Sequence, residues 1–483
     1  MRIIKNIGIA LIALLSLSGC DSWLDINQSP NSVNEVEPQF LFGYAITSWS
    51  GNRTGGDSYL PIELMNQTAA SGGSFGWGYA EDRYDISPYS TGNAWKMYYA
   101  TSGANLKEAI KIAEENGDSN IAAQCKIAFA SMFYECTMIW GDVPFEQAWT
   151  EENYPKFDTQ ESILNNLIAM LDEAINQIDE SNNIKITLED AFFSGDLNKW
   201  KKLANSMKYK IAMVMVDADP TKADLIAQLV KEDLLTSSDN VEFPYYDESG
   251  HKNPKYRLFE KYNGGQNTWI FANTIILDDM MKPLDDPRIP IYFAPGKEAV
   301  VGDDYYKGVE TATEADDTHS LIRVGTILRA DAPDLILSSH EIKFLIAETY
   351  ARGLGMSANL VEADKYFKEG LQEALSYYGV DQSDIDTFVA KPELDLKSVT
   401  NPLNVLRVQQ YVDLQDRPLE AWVQMRRSGA KGSEIPNLST PNGADAPDGE
   451  IARRWDYPNN ELSGNKNGPK VLPKMWESMW FDK

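Results

Sequence analysis

Histidine and positive charge are scarce in this chain of 483 residues, and each scarcity removes a class of function. Histidine occurs three times, and His340-Glu341 is followed at position 344 by phenylalanine, where a zinc protease needs its second histidine. We therefore expect His340 to be a solvated residue at a helix start. Lysine and arginine number 44 against 72 acidic residues, a net charge of −28. Because nucleic-acid binding needs clustered cations, this charge argues against it.

Cysteine is also scarce, with only Cys20, Cys125 and Cys136. The last two lie in one strongly helical segment, which would separate them by about 16 Å along the helix axis. A disulfide requires Cα atoms within roughly 7 Å of each other. We therefore expect Cys125 and Cys136 to be unpaired core residues.

The first twenty residues have the order of a secretory signal peptide. Two cations precede an apolar run from Ile7 to Leu17, and Leu17-Ser18-Gly19-Cys20 places small residues directly before a cysteine. The run is shorter than the roughly 20 residues that span a bilayer. We predict that residues 1–19 are a signal peptide and that Cys20 is lipid-modified, which anchors the mature protein to a membrane.

The remainder, 20–483, is predicted to be a single all-α domain with minor short β elements. Apolar residues recur at helical spacing mainly in 94–216 and 339–428, whereas 51–93 and 240–335 are rich in glycine and aromatics and lack this period. Two consecutive predicted helices, His340–Arg352 and Asn359–Tyr378, have the proportions of a tetratricopeptide helix pair. The predicted helices are Pro38–Ser48, Pro61–Ala70, Ala94–Ile112, Ile121–Trp140, Thr159–Ile178, a helix from about Asp196, His340–Arg352, Asn359–Tyr378 and Pro402–Arg427.

Six segments, taken in order, resemble the SusD/RagB family of outer-membrane nutrient-binding lipoproteins. They are Trp23-Leu-Asp-Ile-Asn with Pro30-Asn31, Gly195–Ser206, Asp286-Pro-Arg288, Glu341–Glu348, Glu420–Gly429 and Arg453–Pro458. Each segment is only moderately specific, but together they cover nearly the whole chain.

The resemblance implies a fold of tetratricopeptide-like helix pairs and a surface-exposed lipoprotein on the outer membrane of a Bacteroidetes-type cell. It also implies a partner, a SusC-like TonB-dependent transporter, to which the lipoprotein delivers an oligosaccharide or, in some relatives, a peptide. Residues that contact the ligand vary between members of this family. The candidate site therefore has to be inferred from this chain's own residues.

Aromatic and amide residues outside the helical period are the candidates for ligand binding. A sugar ring presents C–H groups on its face and hydroxyls at its edge, so an exposed aromatic ring beside amides suits it. Loops on a rigid scaffold are common binding sites. We predict a glycan surface built across 71–92 and 262–270 from Phe75, Trp77, Tyr79, Tyr84, Tyr89, Gln266, Asn267 and Trp269. Trp95, Trp140, Trp200 and Trp422 lie on predicted helices and are expected to be scaffold.

Catalytic and metal-binding patterns are weak. Gly72-Gly-Ser74-Phe-Gly76 matches the nucleophile elbow of hydrolases, but the polar segment before it does not suit the buried strand that the elbow needs. Paired aspartates at Asp285-Asp286 and Asp303-Asp304 offer oxygen ligands for Ca²⁺ without EF-hand spacing. We expect no catalysis and no cofactor, with calcium as a minor alternative.

Two other functions remain open from the sequence. The acidic composition would suit capture of basic peptides, and a helical-repeat scaffold could act as an adaptor that binds only a protein. The glycine-flanked tryptophans favour a glycan. The adaptor is distinguished from the ligand-binding functions by whether Trp77 and Trp269 are buried or exposed in one pocket.

Overall fold

The computed structural model describes residues 36–55, 58–73, 78–302 and 304–483. Helices dominate the described residues, which confirms the all-α prediction. The α-helices are α1 (Pro38–Arg53), α2 (Tyr59–Met65), α3 (Pro88–Lys96), α4 (Ser102–Asn116), α5 (Ser119–Trp140), α6 (Gln160–Gln177), α7 (Leu197–Met215), α8 (Lys222–Leu229), α9 (Pro254–Asn263), α10 (Ile289–Tyr292), α11 (Ser339–Arg352), α12 (Leu360–Tyr377), α13 (Gln382–Val389), α14 (Pro402–Asp413), α15 (Pro418–Arg426) and α16 (Asn459–Gly464).

Residues 38–483 form one compact unit. Helix α5 lies at the centre of its first half. It is mostly apolar and almost entirely buried, as expected for a helix surrounded by others, and Lys126 and Glu135 are its charged residues. Helices α4, α6 and α7 pack against it, and each of them buries one apolar stripe. Cys125 and Cys136 lie on α5, buried and unpaired as predicted. Burial raises the pKa of both thiols, so they are inert core residues.

Helices α11 and α12 form the helix pair predicted in the second half. The side chain of Ser338 accepts a hydrogen bond from the amide of Glu341 and caps the start of α11. Gly353, with φ of +69°, ends it. Gly370 lets the helices approach, because a Cβ there would lie 3.2 Å from the Cβ of Lys343. A second, smaller apolar cluster lies between α12 and its neighbours.

Two predictions about helix boundaries are wrong. The predicted single helix from 402 to 427 is two helices, α14 and α15, because Pro418 cannot continue the hydrogen bonding of α14 and begins a new helix. The segment 240–335, predicted to lack helices, contains α9, α10 and a π-helix, Ile275–Met281. Helix α9 is capped by Asn253, whose side chain accepts from the amides of Lys255 and Tyr256.

Strands are short and serve mainly to join distant loops. In the described part of the chain the named strands pair antiparallel, two isolated bridges are parallel, and the largest sheet has the order β1-β5-β7-β6. The strands are β1 (Ala69–Ala70), β2 (Val143–Pro144), β3 (Phe157–Asp158), β4 (Val241–Phe243), β5 (Phe271–Ala272), β6 (Phe293–Ala294), β7 (Leu321–Ile322) and β8 (Asp334–Leu337). Across the described ranges, no helix has both the length and the apolar character needed to cross a membrane.

Candidate functional site

The pairing of β1 with β5 brings together the two blocks predicted to form the ligand surface. Ala70 lies opposite Phe271 in an antiparallel register. The chain leaves β1 into the first block, 71–92, and enters β5 from the second block, 262–270. Because the two strands are antiparallel, the end of β1 lies beside the start of β5, and both blocks leave the sheet at the same end of this strand pair. Two segments almost 200 residues apart in sequence therefore meet there.

A third segment, 310–316, joins them. The amide of Ala315 donates to the carbonyl of Gly72 at 2.8 Å. Gly73, with φ of +70°, approaches Thr313 so closely that a Cβ would lie 2.3 Å from the Thr313 carbonyl oxygen. Only glycine fits this approach and this backbone conformation without rearrangement. We call residues 71–73, 78–84, 264–270 and 310–316 the loop surface.

Asp82 links two parts of the loop surface from beneath. Its carboxylate Oδ2 accepts from the amide of Ser71 at 3.0 Å and from the amide of Ala312 at 3.4 Å. The Ser71 hydroxyl donates to the same oxygen. Asp82 is fully buried, and this burial raises its pKa to about 6 in spite of these hydrogen bonds. The surface thus rests on a buried acid that titrates near neutral pH.

Trp269 is half-buried at the centre of the loop surface. Its ring stacks on the buried ring of Phe259 from α9, with centroids 5.5 Å apart and planes 22° apart. Gly78, which follows Trp77 in the sequence, lies beside it: a Cβ on Gly78 would be 3.8 Å from Cζ3 of Trp269. Trp269 is therefore partly a packing residue and partly a surface ring.

Tyr79 contacts Arg83, a residue that the sequence did not indicate as part of the site. The guanidinium of Arg83 lies 3.8 Å from the centroid of the Tyr79 ring and covers one of its faces. Arg83 also donates to the carbonyls of Tyr79 and Ala312, both at 2.9 Å. Tyr79 thus presents at most one face to a ligand, and Arg83 adds a cation beside it.

The two amides predicted for ligand contact have different roles. Gln266 is exposed on the loop surface, as a ligand contact requires. Asn267 is 8 % exposed, and its side-chain amide donates to the carbonyls of Ile270 and Ile322 at 2.8 and 2.9 Å. Its carbonyl oxygen accepts from the amides of Trp269 and Ile270. The ligand role predicted for Asn267 is therefore wrong, because its hydrogen bonds hold the loop that carries Trp269.

Tyr84 and Tyr89 also differ. Tyr84 is 2 % exposed and belongs to the apolar core, so its predicted ligand contact is wrong. Burial raises the pKa of its hydroxyl to about 12. Tyr89 is 69 % exposed in the first turn of α3. Cys20, Ser74, Phe75 and Trp77 lie outside the described residues, and their predicted roles stay predictions.

The aspartates predicted as calcium ligands differ in burial and in their contacts. Asp286 is buried and bonds Arg288 through both oxygens, at 2.6 and 2.9 Å, so its predicted metal role is wrong. Asp285 and Asp304 are exposed, and Asp303 lies outside the described residues. Of the residues that the structure describes, no three or more His, Cys, Asp or Glu side chains are grouped to hold a metal ion.

His340 is buried rather than solvated, contrary to expectation. It is 1 % exposed, and its Nε2 lies 3.4 Å from Oδ2 of Asp413 on α14. Burial lowers the pKa of His340, which keeps the imidazole neutral. By contrast, the four helical tryptophans predicted as scaffold are all buried, which confirms that prediction.

Sequence reasoning missed Arg83 and the segment 310–316. Arg83 lies in a 3₁₀ turn, Glu81–Arg83, within the first predicted block, yet nothing in its neighbours marks it as different from a solvated arginine. The segment 310–316 contains no aromatic residue and no side-chain amide. One available signal was Gly72-Gly73, because paired glycines permit a close approach of another backbone.

Comparison with known proteins identifies the family. The SusD-like family model described as "Starch-binding associating with outer membrane" matches residues 30–458, and the chain therefore belongs to this family. A solved structure titled as a chitin-binding protein is 22 % identical, with a TM-score of 0.79 over 92 % of this chain and 100 % of the other.

Two further structures share the fold. A SusD/RagB family protein from Bacteroides thetaiotaomicron is 20 % identical, with a TM-score of 0.76 over 93 % of this chain and 99 % of the other. A chitin-binding SusD homolog from Flavobacterium johnsoniae is 18 % identical, with a TM-score of 0.74 over 92 % and 97 %. A search of curated protein sequences finds no match.

Proposed function

We propose that this protein is a surface-exposed lipoprotein of the outer membrane that binds a glycan on the loop surface and delivers it to a SusC-like TonB-dependent transporter. The observation that supports it most is the meeting of the predicted loop blocks through β1 and β5. The family description, starch-binding and associating with the outer membrane, supports the ligand class and the location. The two chitin-binding proteins of the same fold are consistent with a glycan ligand.

The loop surface has the groups that a neutral sugar needs. Trp269 offers apolar ring area, Gln266 offers an exposed amide, and Arg83 offers donors beside Tyr79. The segments that carry these groups are fixed from beneath by Asp82 and Asn267. Because these supports are in place before a ligand binds, little ordering cost remains to be paid on binding.

The first prediction concerns Trp269→Ala. If the ring covers about 80 Å² of sugar face at roughly 25 cal/mol per Å², its loss costs about 2 kcal/mol, on the order of thirtyfold in affinity. Because Trp269 also stacks on Phe259, we expect an additional loss of stability of about 0.5–1.5 kcal/mol. Calorimetric titration with maltohexaose and chitohexaose, together with thermal melts, measures both effects.

Tyr154→Ala is the matched control. Tyr154 is an exposed aromatic residue outside the loop surface, with Lys466 over its ring. It should leave affinity unchanged. Equal binding by Trp269→Ala and the wild type would show that Trp269 only packs the loop. Trp77→Ala, measured in the same titration, tests the other predicted ring.

Membrane attachment gives the second prediction. Cys20→Ser should leave a folded protein that no longer incorporates palmitate or partitions into detergent, because the acyl chains that anchor it are missing. The measurement is metabolic labelling followed by phase separation. A mutant that still partitions into detergent would contradict attachment through this cysteine.

The two alternative functions, peptide capture and an adaptor that binds only a protein, can be tested with the same purified protein. The net charge of −28 is the observation that favours basic peptides. A combined glycan and peptide array, probed with protein lacking residues 1–20, separates the two ligand classes. We expect binding without turnover, so release of reducing ends that a single carboxylate substitution abolishes would contradict the proposal.

A further inference from the structure

A cavity of about 490 Å³ is lined in part by the start of α9, the helix whose Phe259 stacks on Trp269. Its walls come from the end of α1, from α2, from the start of α9, from residues 325–335 and from the turn before α15. This volume is in the range of small-molecule sites, roughly 300–1,000 Å³. Neither Trp269 nor Gln266 lines it, so it is separate from the loop surface.

The four cations that line the cavity are already paired, and the carboxylate of Glu242, which also lines it, is hydrogen-bonded to Tyr377. Lys255 contacts Glu63 at 3.0 Å and Asp416 at 2.8 Å, and Arg53 contacts Asp334 at 3.0 Å. Although burial acts to lower it, these carboxylates hold the pKa of Lys255 above its usual value. The lysine therefore stays charged, and its charge is balanced by the protein itself.

The two other cations of the lining are paired in the same way. Arg329 contacts Asp331 at 2.7 Å, and Arg417 contacts Glu341 at 2.6 Å. An anionic ligand would have to displace one of these carboxylates, and leaving a buried cation such as Arg53 or Lys255 without its partner is costly. A cationic ligand would have to take Glu242 from its hydrogen bond with Tyr377. The paired groups can still offer hydrogen bonds. This combination favours a neutral ligand with many hydroxyls.

Tyrosines supply the apolar part of the wall. Tyr256, Tyr377 and Tyr378 line the cavity, and the last two rings meet edge to face with centroids 5.2 Å apart. Burial raises the pKa of Tyr377 and Tyr378, so both phenols stay neutral and can donate as well as accept. Aromatic faces beside paired carboxylates and hydroxyls match the two sides of a sugar ring.

We propose that this cavity is a second glycan site, which takes one or two neutral sugar rings, while the loop surface holds a longer chain. The inference rests on the proposed function. Both sites share α9: Lys255 and Tyr256 face the cavity, and Phe259 supports Trp269. The walls, drawn from several separate segments, limit the length of ligand that the cavity can hold.

The test uses maltose and N,N′-diacetylchitobiose as short probes and their hexamers as long ones. Ala332→Trp fills the cavity, and because Ala332 uses only its backbone for hydrogen bonds, the substitution removes none of them. We expect it to weaken binding of at least one disaccharide by about tenfold or more, because the indole ring would occupy the volume that the sugar needs. Trp269→Ala should leave that disaccharide within about twofold and weaken the matching hexamer.

Two variants keep the result interpretable. Ser249→Trp places the same bulk at an exposed position that does not line the cavity, and it should bind disaccharide like the wild type. Tyr256→Ala opens the wall instead of filling the space and should also weaken the disaccharide. Circular dichroism and thermal melts show whether each variant folds.

The outcomes separate the two proposals. Hexamer binding without disaccharide binding, or disaccharide binding that Trp269→Ala abolishes and Ala332→Trp does not change, overturns the cavity site and leaves the loop surface intact. Disaccharide binding that depends on Ala332 and Tyr256, without any hexamer binding, supports the cavity and contradicts the loop surface. Absence of binding by all four probes counts against both.

Discussion

Replacing Glu348 with alanine should lower the free energy of unfolding by about 3–5 kcal/mol. Glu348 is fully buried on α11 and contacts Arg427 at 2.6 Å, Arg352 at 2.9 Å and Arg407 at 3.4 Å. Although burial acts to raise it, these arginines hold the pKa of Glu348 well below its usual range. Its loss would leave three guanidinium groups crowded together without their shared carboxylate.

Urea unfolding of the wild type and the variant at pH 7 measures this loss. Glu108→Ala is the matched control, because Glu108 forms an exposed pair with Lys111 at 3.8 Å on α4. Exposed pairs contribute about 0–1 kcal/mol, so this control should unfold almost like the wild type. Equal effects of the two substitutions would show that the buried cluster does not stabilise the fold.

The segments that carry the family resemblance include the buried charges of the scaffold. Glu341 contacts Lys210 at 2.9 Å and Arg417 at 2.6 Å. Arg453 contacts Asp482 at 2.7 Å. The sequence showed that these charged residues recur in a family-like order, but it could not show that they are buried. Their partners lie 29 to 131 residues away, and no local pattern predicts such pairs.

The helical scaffold was predictable because its signal is local. Each long helix carries an apolar stripe at 3–4 spacing, and its caps, such as Ser338 and Gly353, lie next to it in the sequence. The error at Pro418 arose because apolar spacing continued across a proline. Helix α9 was missed because only Phe259 among its residues is buried, so its apolar stripe is too narrow to detect.

The candidate site was predictable in part. Glycines and aromatics marked the right blocks, and a two-residue pairing between β1 and β5 brings them together. Which of these residues face outward depends on long-range contacts. Asn267 reaches Ile322 on β7, and Tyr84 packs into a core assembled from distant helices. Composition alone cannot distinguish such residues from the exposed Gln266.

The second large effect that we predict is a dependence of the unfolding free energy on pH, caused by the titration of Asp82. Its pKa rises from an ordinary 3.8 to about 6 on folding, mainly because burial disfavours the charged form. The folded state therefore binds this proton more tightly than the unfolded state. The resulting stabilisation is fully present below pH 3.8 and is lost as the pH rises through 6.

Asp82→Asn removes this titration and retains an oxygen that can accept from Ser71 and Ala312. At about 1.4 kcal/mol per pKa unit, the wild type should therefore lose about 2.4 kcal/mol of unfolding free energy relative to Asp82→Asn between pH 4 and pH 7, because the unfolded carboxyl is already partly ionised at pH 4. Urea unfolding at four pH values measures the difference, with the exposed Asp85→Asn as the control for loss of an acid in the same segment. A constant difference across this range would mean that Asp82 is as easily ionised in the folded protein as in the unfolded chain. The loop surface would then rest on an ordinary carboxylate, and ligand affinity should not follow the titration of Asp82.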